Sequence, residues 1–126
     1  MIRPQYHFRR AGPDILIWDV EKLLDLAAPL PVEEVPLGRI AEIDEPYWFD
    51  ISDRAPTCRA VAEHGRMIAA ADLAWPVLLA ADGRIMDGMH RVMKALLEGR
   101  ATIPARRFPV TPEPDFRNMA MEDLPR

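Results

Sequence analysis

The stretch Arg84-Ile85-Met86-Asp87-Gly88-Met89-His90-Arg91-Val92-Met93-Lys94-Ala95-Leu96-Leu97-Glu98-Gly99 decides how this chain is read. Met89, Val92, Met93, Leu96 and Leu97 recur at three- and four-residue steps and make one apolar stripe, so the segment after Gly88 is a helix. Asp87 has the short acceptor side chain of an N-cap, and Gly99 has the backbone freedom that ends a helix. Upstream, Trp75-Pro76-Val77-Leu78-Leu79-Ala80 reads as a strand. Asp82-Gly83 is a hairpin-turn signal that returns Arg84-Ile85-Met86 antiparallel to it. Downstream, Thr102-Ile103-Pro104-Ala105-Arg106-Arg107-Phe108 reads as a last short strand. Strand, hairpin, helix, strand predicts an α/β (α+β) domain with a small mixed sheet and packed helices.

Outward from this core the signals weaken. From Thr57 to about Leu73 the pattern is helical, with Cys58, Val61, Ala62, Gly65, Ile68 and Ala69 expected to face the core. Cys58 is then a buried packing cysteine. Ile15-Leu16-Ile17-Trp18 reads as a buried strand, and Asp19 caps a short helix with Leu23, Leu24 and Ala27 on one face, stopped by Pro29 and Pro31. Val35-Pro36-Leu37 is an extended segment that Pro36 confines to an edge or a bend. Residues 44–50 form an acidic, aromatic loop, and Ser52-Asp53-Arg54-Ala55-Pro56 is a further breaker. The expected organisation is one domain over residues 1–108 and a Pro-rich, extended or partly disordered tail over 109–126.

Composition narrows the class. With 126 residues the chain suits one domain able to bury a real core. A single cysteine cannot form an internal disulfide, which points to a reducing compartment. No apolar run is long enough to span a bilayer, and Met1-Ile2-Arg3-Pro4-Gln5-Tyr6-His7 lacks the apolar stretch of a secretory signal, so the expected location is cytoplasmic. The net charge of −4 argues against a general nucleic-acid coat. Charge is uneven, however: residues 14–53 hold eleven acids against two bases, and residues 84–107 hold six bases against Asp87 and Glu98. Two balancing solvated surfaces are the commoner explanation, and a local anion site in the second half is the sharper one.

The chemistry concentrates at the start of the helix after Gly88. His90, Arg91 and Lys94 occupy its first two turns, where the dipole is positive and free N–H groups point outward. Cations there are favourable when an anion sits at the helix end, and Gly88 lets a ligand approach the backbone closely. A phosphate site is one reading. The other is that Asp87 caps the helix and pairs with Arg91 while His90 faces solvent.

Asp87-Gly88-Met89-His90-Arg91, the Ala/Leu-rich helix, Gly99 and Thr102-Ile103-Pro104-Ala105 resemble the superfamily that joins ParB partition proteins and sulfiredoxins. The order of the Val35-Pro36-Leu37 strand, the helix over 57–73 and the Pro76-Val77-Leu78 strand agrees, and the resemblance covers roughly residues 32–108. A Gly-x-x-Arg motif opens a helix and holds nucleotide phosphates in that superfamily; a similar Asp-Gly-His-His-Arg version occurs in free-serine kinases. The resemblance implies that Gly88, His90 and Arg91 contact phosphate oxygens of a nucleotide (ATP, ADP or CTP, with Mg2+ as a candidate companion); Lys94, one turn further along, is a candidate assistant that no family pattern requires.

Departures from the family matter. Met89 stands where sulfiredoxins keep their catalytic cysteine, and a thioether cannot act as a thiolate nucleophile. No helix-turn-helix pattern follows the domain, so sequence-specific DNA binding is not expected, and no nuclease-type metal cluster is visible. If a phosphoryl group is hydrolysed or transferred to a small molecule, the candidate catalytic carboxylates are Asp87 and Glu63, with Asp44, Glu45 and Asp50 as a second set. His64 is expected to be satisfied or solvent-facing. His7-Phe8-Arg9-Arg10 folds over the phosphates or stays mobile, and Tyr47, Trp48 and Phe49 stack on a base or pack locally. The favoured expectation is a nucleotide-binding domain. The alternatives are a non-catalytic module that binds a protein partner through its acidic, aromatic loop, and a nucleic-acid-associated factor acting through the basic half.

Overall fold

The Asp82-Gly83 hairpin organises the structure. Strands β4 (Val77–Leu79) and β5 (Ile85–Asp87) pair antiparallel across it. Gly83 takes φ +86°, which glycine adopts without steric cost, and its N–H closes the turn on the Ala80 carbonyl. The computed structural model describes residues 5–49 and 55–125.

Helix α3 (Met89–Leu97) leaves β5 after one residue and ends at Gly99, whose φ of +72° is the left-handed stop the sequence predicts. Strand β6 (Thr102–Arg107) then runs parallel to β4, and β3 (Glu33–Pro36) pairs antiparallel with β6. The sheet order β3-β6-β4-β5 is mixed and puts Pro36 on an edge strand, where its missing N–H breaks no inner ladder. The fold is α+β.

Alternation along β4 divides the core in two. Val77 and Leu79 join Ile85, Ile103 and Ala105 beneath Val92 and Ala95 of α3. Leu78 and Ala80 join Met86, Phe108 and Trp18 on the opposite face, beneath Leu23 and Ala27. Those last two residues belong to α1 (Val20–Ala27), whose N-cap Asp19 accepts a hydrogen bond from the Glu21 N–H. Leu24, expected inside, is exposed. The side chains buried on α1 are Val20, Leu23 and Ala27.

Both ends of the described chain contribute strands of their own. The basic N-terminal run is strand β1 (Tyr6–Ala11), paired antiparallel along its length with β2 (Asp14–Asp19) through a turn at Gly12-Pro13. There is therefore a second, three-stranded sheet, completed by β7 (Phe116–Arg117) from the expected tail. The tail is extended but docked: Trp18 Nε1 donates to the Pro112 carbonyl at 2.8 Å, Asp115 accepts from the Asp19 N–H at 2.8 Å, and Leu124 is buried. The edge of β2 offers unpaired backbone groups, and the polar tail satisfies them without needing an apolar period.

Helix α2 (Cys58–Ala70) forms where predicted, capped by Thr57, but shows the solvent most of the face expected to be inside. Cys58, Val61, Ala62, Gly65 and Ala69 are exposed, and Ala60, His64 and Ile68 turn inward. Small side chains on the predicted stripe remove little surface from water, so the helix is oriented by the contacts His64 makes instead. Asp50 and the Ser52-Asp53-Arg54 segment lie outside the described residues.

Candidate functional site

Gly88 shapes the corner between β5 and α3. It is the N-cap of the helix at φ +107°, and no side chain caps the α3 N-terminus. Asp87 is thus not the cap: it ends β5, and its carboxylate pairs with Arg91 one helical turn on, at 2.8 Å. A Cβ on Gly88 would lie 2.7 Å from Val77 Cγ1 and 2.9 Å from Arg91 Nη2. Glycine is therefore required here by packing as well as by backbone conformation.

The cations of the motif face inward along the fold. Arg91 Nη1 donates to the carbonyls of Trp75 (2.9 Å) and Pro76 (2.7 Å), and Nη2 donates to Asp87. Three of the five guanidinium donors are engaged by these bonds. Lys94 Nζ donates to the Ala69 (3.1 Å) and Ala71 (2.6 Å) carbonyls, closing the C-terminal end of α2, where a cation is favourable. Arg91 and Lys94 together tie α3 to the chain that leaves α2.

His90 is half-buried and its ring is engaged rather than free in solvent. Its Nε2 lies 2.9 Å from His64 Nδ1, so the two rings share a hydrogen bond across α2 and α3. Trp48 covers both, at ring-centroid distances of 4.1 Å from His64 and 4.6 Å from His90, nearly parallel to each, and Phe49 meets His64 edge-on. Burial lowers the pKa of both imidazoles. At His64 the Glu63 charge acts in the opposite direction, whereas at His90 the neighbouring His64 lowers it further. This neutral stack, together with the two cations, holds a helix whose apolar stripe faces outward. The aromatic loop is thus a packing element around histidines.

Two open clefts meet at the corner. One, of about 750 Å³, is lined by Gly88, His90, Arg91, Arg106, Trp75 and Met67 among others. The second, of about 1120 Å³, shares Asp87, Gly88 and His90 and extends toward Tyr6 and Met119. Asp87, Gly88, His90 and Arg91 are thus brought together. Glu63 is exposed and lines neither cleft, and neither does Lys94. Sequence reasoning missed Trp75, which is 68% exposed beside the corner, and Arg106, whose Nη1 donates to the Ala27 and Ala28 carbonyls. Arg106 stood out only as part of a basic stretch, and Trp75 only as the start of a strand. Among the described residues no group of three or more His, Cys, Asp or Glu side chains could hold a metal ion, and no helix is long and apolar enough to cross a membrane.

No family model, no curated protein and no solved structure matches the chain.

Proposed function

We propose that the Gly88 corner is a nucleotide site of ParB/sulfiredoxin type, with the phosphates at the α3 N-terminus and the base toward Trp75. The observation that supports this reading best is the 750 Å³ cleft, in which a helix N-terminus without a side-chain cap, two guanidinium groups and an exposed indole line one opening. Free N–H groups at such a terminus suit an anion, Arg91 and Arg106 add positive charge that Asp87 and Asp72 of the same cleft offset, and an indole face stacks on any base.

The proposed activity is binding, with hydrolysis or phosphoryl transfer a further step that needs a residue to orient the acceptor. Asp87 is the carboxylate nearest that role, although Arg91 holds it, and Asp72 in the same cleft accepts from the Ala74 N–H. Neither is arranged with a second free oxygen ligand, so Mg2+ would arrive on the nucleotide's phosphates.

A second reading, that of a non-catalytic protein-binding module, is favoured by a different observation. The bonds that fix Arg91 and Lys94 give the motif a structural use without any ligand, and α2 leaves Val61 and Met67 more than half exposed. Calorimetric titration with ATP, ADP, CTP and GTP, with and without magnesium, separates the two. The nucleotide reading expects one of them to bind and Trp75→Ala, at an exposed position, to weaken it by about 1–3 kcal/mol, the usual worth of one stacked base. Arg106→Ala should weaken it as well. Absence of binding by all four at millimolar concentration would overturn the nucleotide reading and leave the interaction module.

A further inference from the structure

Strand β1 is an outer strand of the three-stranded sheet, paired with β2 along one side. The bonds of β2 show which backbone groups of β1 face the other way. The Ile15 carbonyl accepts from the Asn118 N–H, and the Ile17 carbonyl from the Asp115 N–H. The Ile15 N–H donates to Asn118 Oδ1 at 2.8 Å, and the Asp19 N–H to Asp115 Oδ2 at 2.8 Å. Ile15, Ile17 and Asp19 thus turn toward the tail. By alternation Asp14, Leu16 and Trp18 turn toward β1, where they stand opposite Ala11, Arg9 and His7. Tyr6, Phe8 and Arg10 therefore point their N–H and C=O groups away from β2. Among the described residues nothing hydrogen-bonds to the outward backbone groups of Phe8.

A cleft of about 450 Å³ runs along this edge. Its lining takes His7, Phe8, Arg9 and Arg10 in succession and no residue of β2. A hollow on a face of the sheet would be lined by alternate residues and by both strands, so this one follows the free edge. The opposite wall comes from Glu42 in the 3₁₀ turn Ala41–Asp44, from Tyr47, and from Arg84 and Ile85 at the start of β5. β5 is itself an edge strand, and there the Ile85 N–H is covered, donating to Glu42 Oε2 at 2.7 Å. The β1 edge has no such cover at Phe8. Open backbone groups on an edge are a template for pairing with another strand.

The surroundings select the kind of strand. Arg9 pairs with Asp82, and Arg84 with Glu45 and Glu42, so an incoming charged side chain finds no free partner among them. A single extended segment enters a walled groove more readily than the sheet edge of a second copy, which brings a domain behind it. We propose that this groove binds an extended, uncharged peptide segment of another protein, added beyond β1 as a fourth strand that bonds to the Phe8 N–H and C=O. The site is independent of the nucleotide reading, since none of the Gly88 corner residues lines it.

The test is an NMR titration of the 15N-labelled protein with the capped peptide acetyl-Thr-Val-Thr-Val-Thr-amide, with glutamate or lysine in place of valine in two charged controls. The valine peptide is expected to cause saturable shifts at Phe8 and across the groove at Ile85, and to bind more tightly than either control. It should also slow hydrogen exchange at the Phe8 amide by about tenfold. Phe8→Pro removes the outward N–H without touching the β1–β2 ladder, and should weaken the peptide by about tenfold relative to Phe8→Ala, which keeps it. If the proline variant does not fold, the wild-type shifts and exchange still decide. The proposal is overturned by an absence of saturable shifts at millimolar peptide, by shifts confined to other parts of the protein, by equal affinity in folded Phe8→Pro and Phe8→Ala, or by tighter binding of a charged control. Concentration-dependent dimerisation that Phe8→Pro abolishes would overturn it too, since a second copy would then be the occupant.

Discussion

Gly88→Ala probes how tightly the corner is built, and its cost follows from two separate quantities. The backbone at position 88 has φ +107°, where an L side chain is strained by about 1–2 kcal/mol. The new methyl would then meet Val77 Cγ1 at 2.7 Å and Arg91 Nη2 at 2.9 Å. Val77 is 0% exposed in the core under α3 and has no room to turn, and Arg91 moves only by releasing Asp87 or the Trp75 and Pro76 carbonyls. Overpacking of this kind costs about 1–3 kcal/mol. The expected loss is about 2–5 kcal/mol, which for a chain of this size lowers Tm by roughly 6–20 °C. Gly99→Ala is the matched control, because Gly99 also has positive φ but nothing within 4 Å of an added Cβ, so it carries the backbone cost alone. Urea denaturation of both variants, followed by circular dichroism, measures the difference. If Gly88→Ala is no less stable than Gly99→Ala, the close approach of β4, Gly88 and Arg91 is wrong.

Two further outcomes are expected. His7 is buried, and its pKa falls from 6.5 to about 4, through burial first and the Arg9 charge second; His64 and His90 are lowered in the same direction. A depressed histidine pKa means that the unfolded chain binds the proton more readily. Stability is therefore full above pH 6.5 and is lost as pH falls toward 4, by roughly 3 kcal/mol from His7 alone. Denaturation midpoints measured through that window should decline, with a shallower slope in His7→Phe, and a flat profile would contradict the buried neutral imidazole. Cys58 is exposed and unpaired, so a thiol reagent should label it rapidly in the native state. Labelling only after unfolding would restore the buried cysteine that the helical pattern suggests.

The elements legible in the sequence are those whose signals are local. The Asp82-Gly83 hairpin, α3 between Gly88 and Gly99, and the Asp19 cap of α1 depend on residues within a few positions of one another. What was not legible depends on distant backbone. The tail reads as featureless because its partners are the Ile15 and Ile17 carbonyls and the Trp18 indole, some hundred residues away. On α2 the stripe of Cys58, Ala62, Gly65 and Ala69 imitates a core face, while the actual docking goes through His64, which is polar and stacks under Trp48. The same limit applies to the site. Asp87, Gly88, His90 and Arg91 were identifiable as one cluster because they are adjacent in the chain, yet the use made of Arg91 and Lys94 lies in carbonyls of residues 69, 71, 75 and 76, which carry no side-chain signature. A Gly-x-x-Arg motif at a helix start here fastens α3 to the chain that leaves α2, and under the proposed nucleotide reading the same residues would also contact phosphate. Loss of Arg91 would disturb both at once. Trp75 and Arg106 lie outside the motif and line the same opening, so they are the positions at which the proposed nucleotide binding can be tested apart from the integrity of the corner.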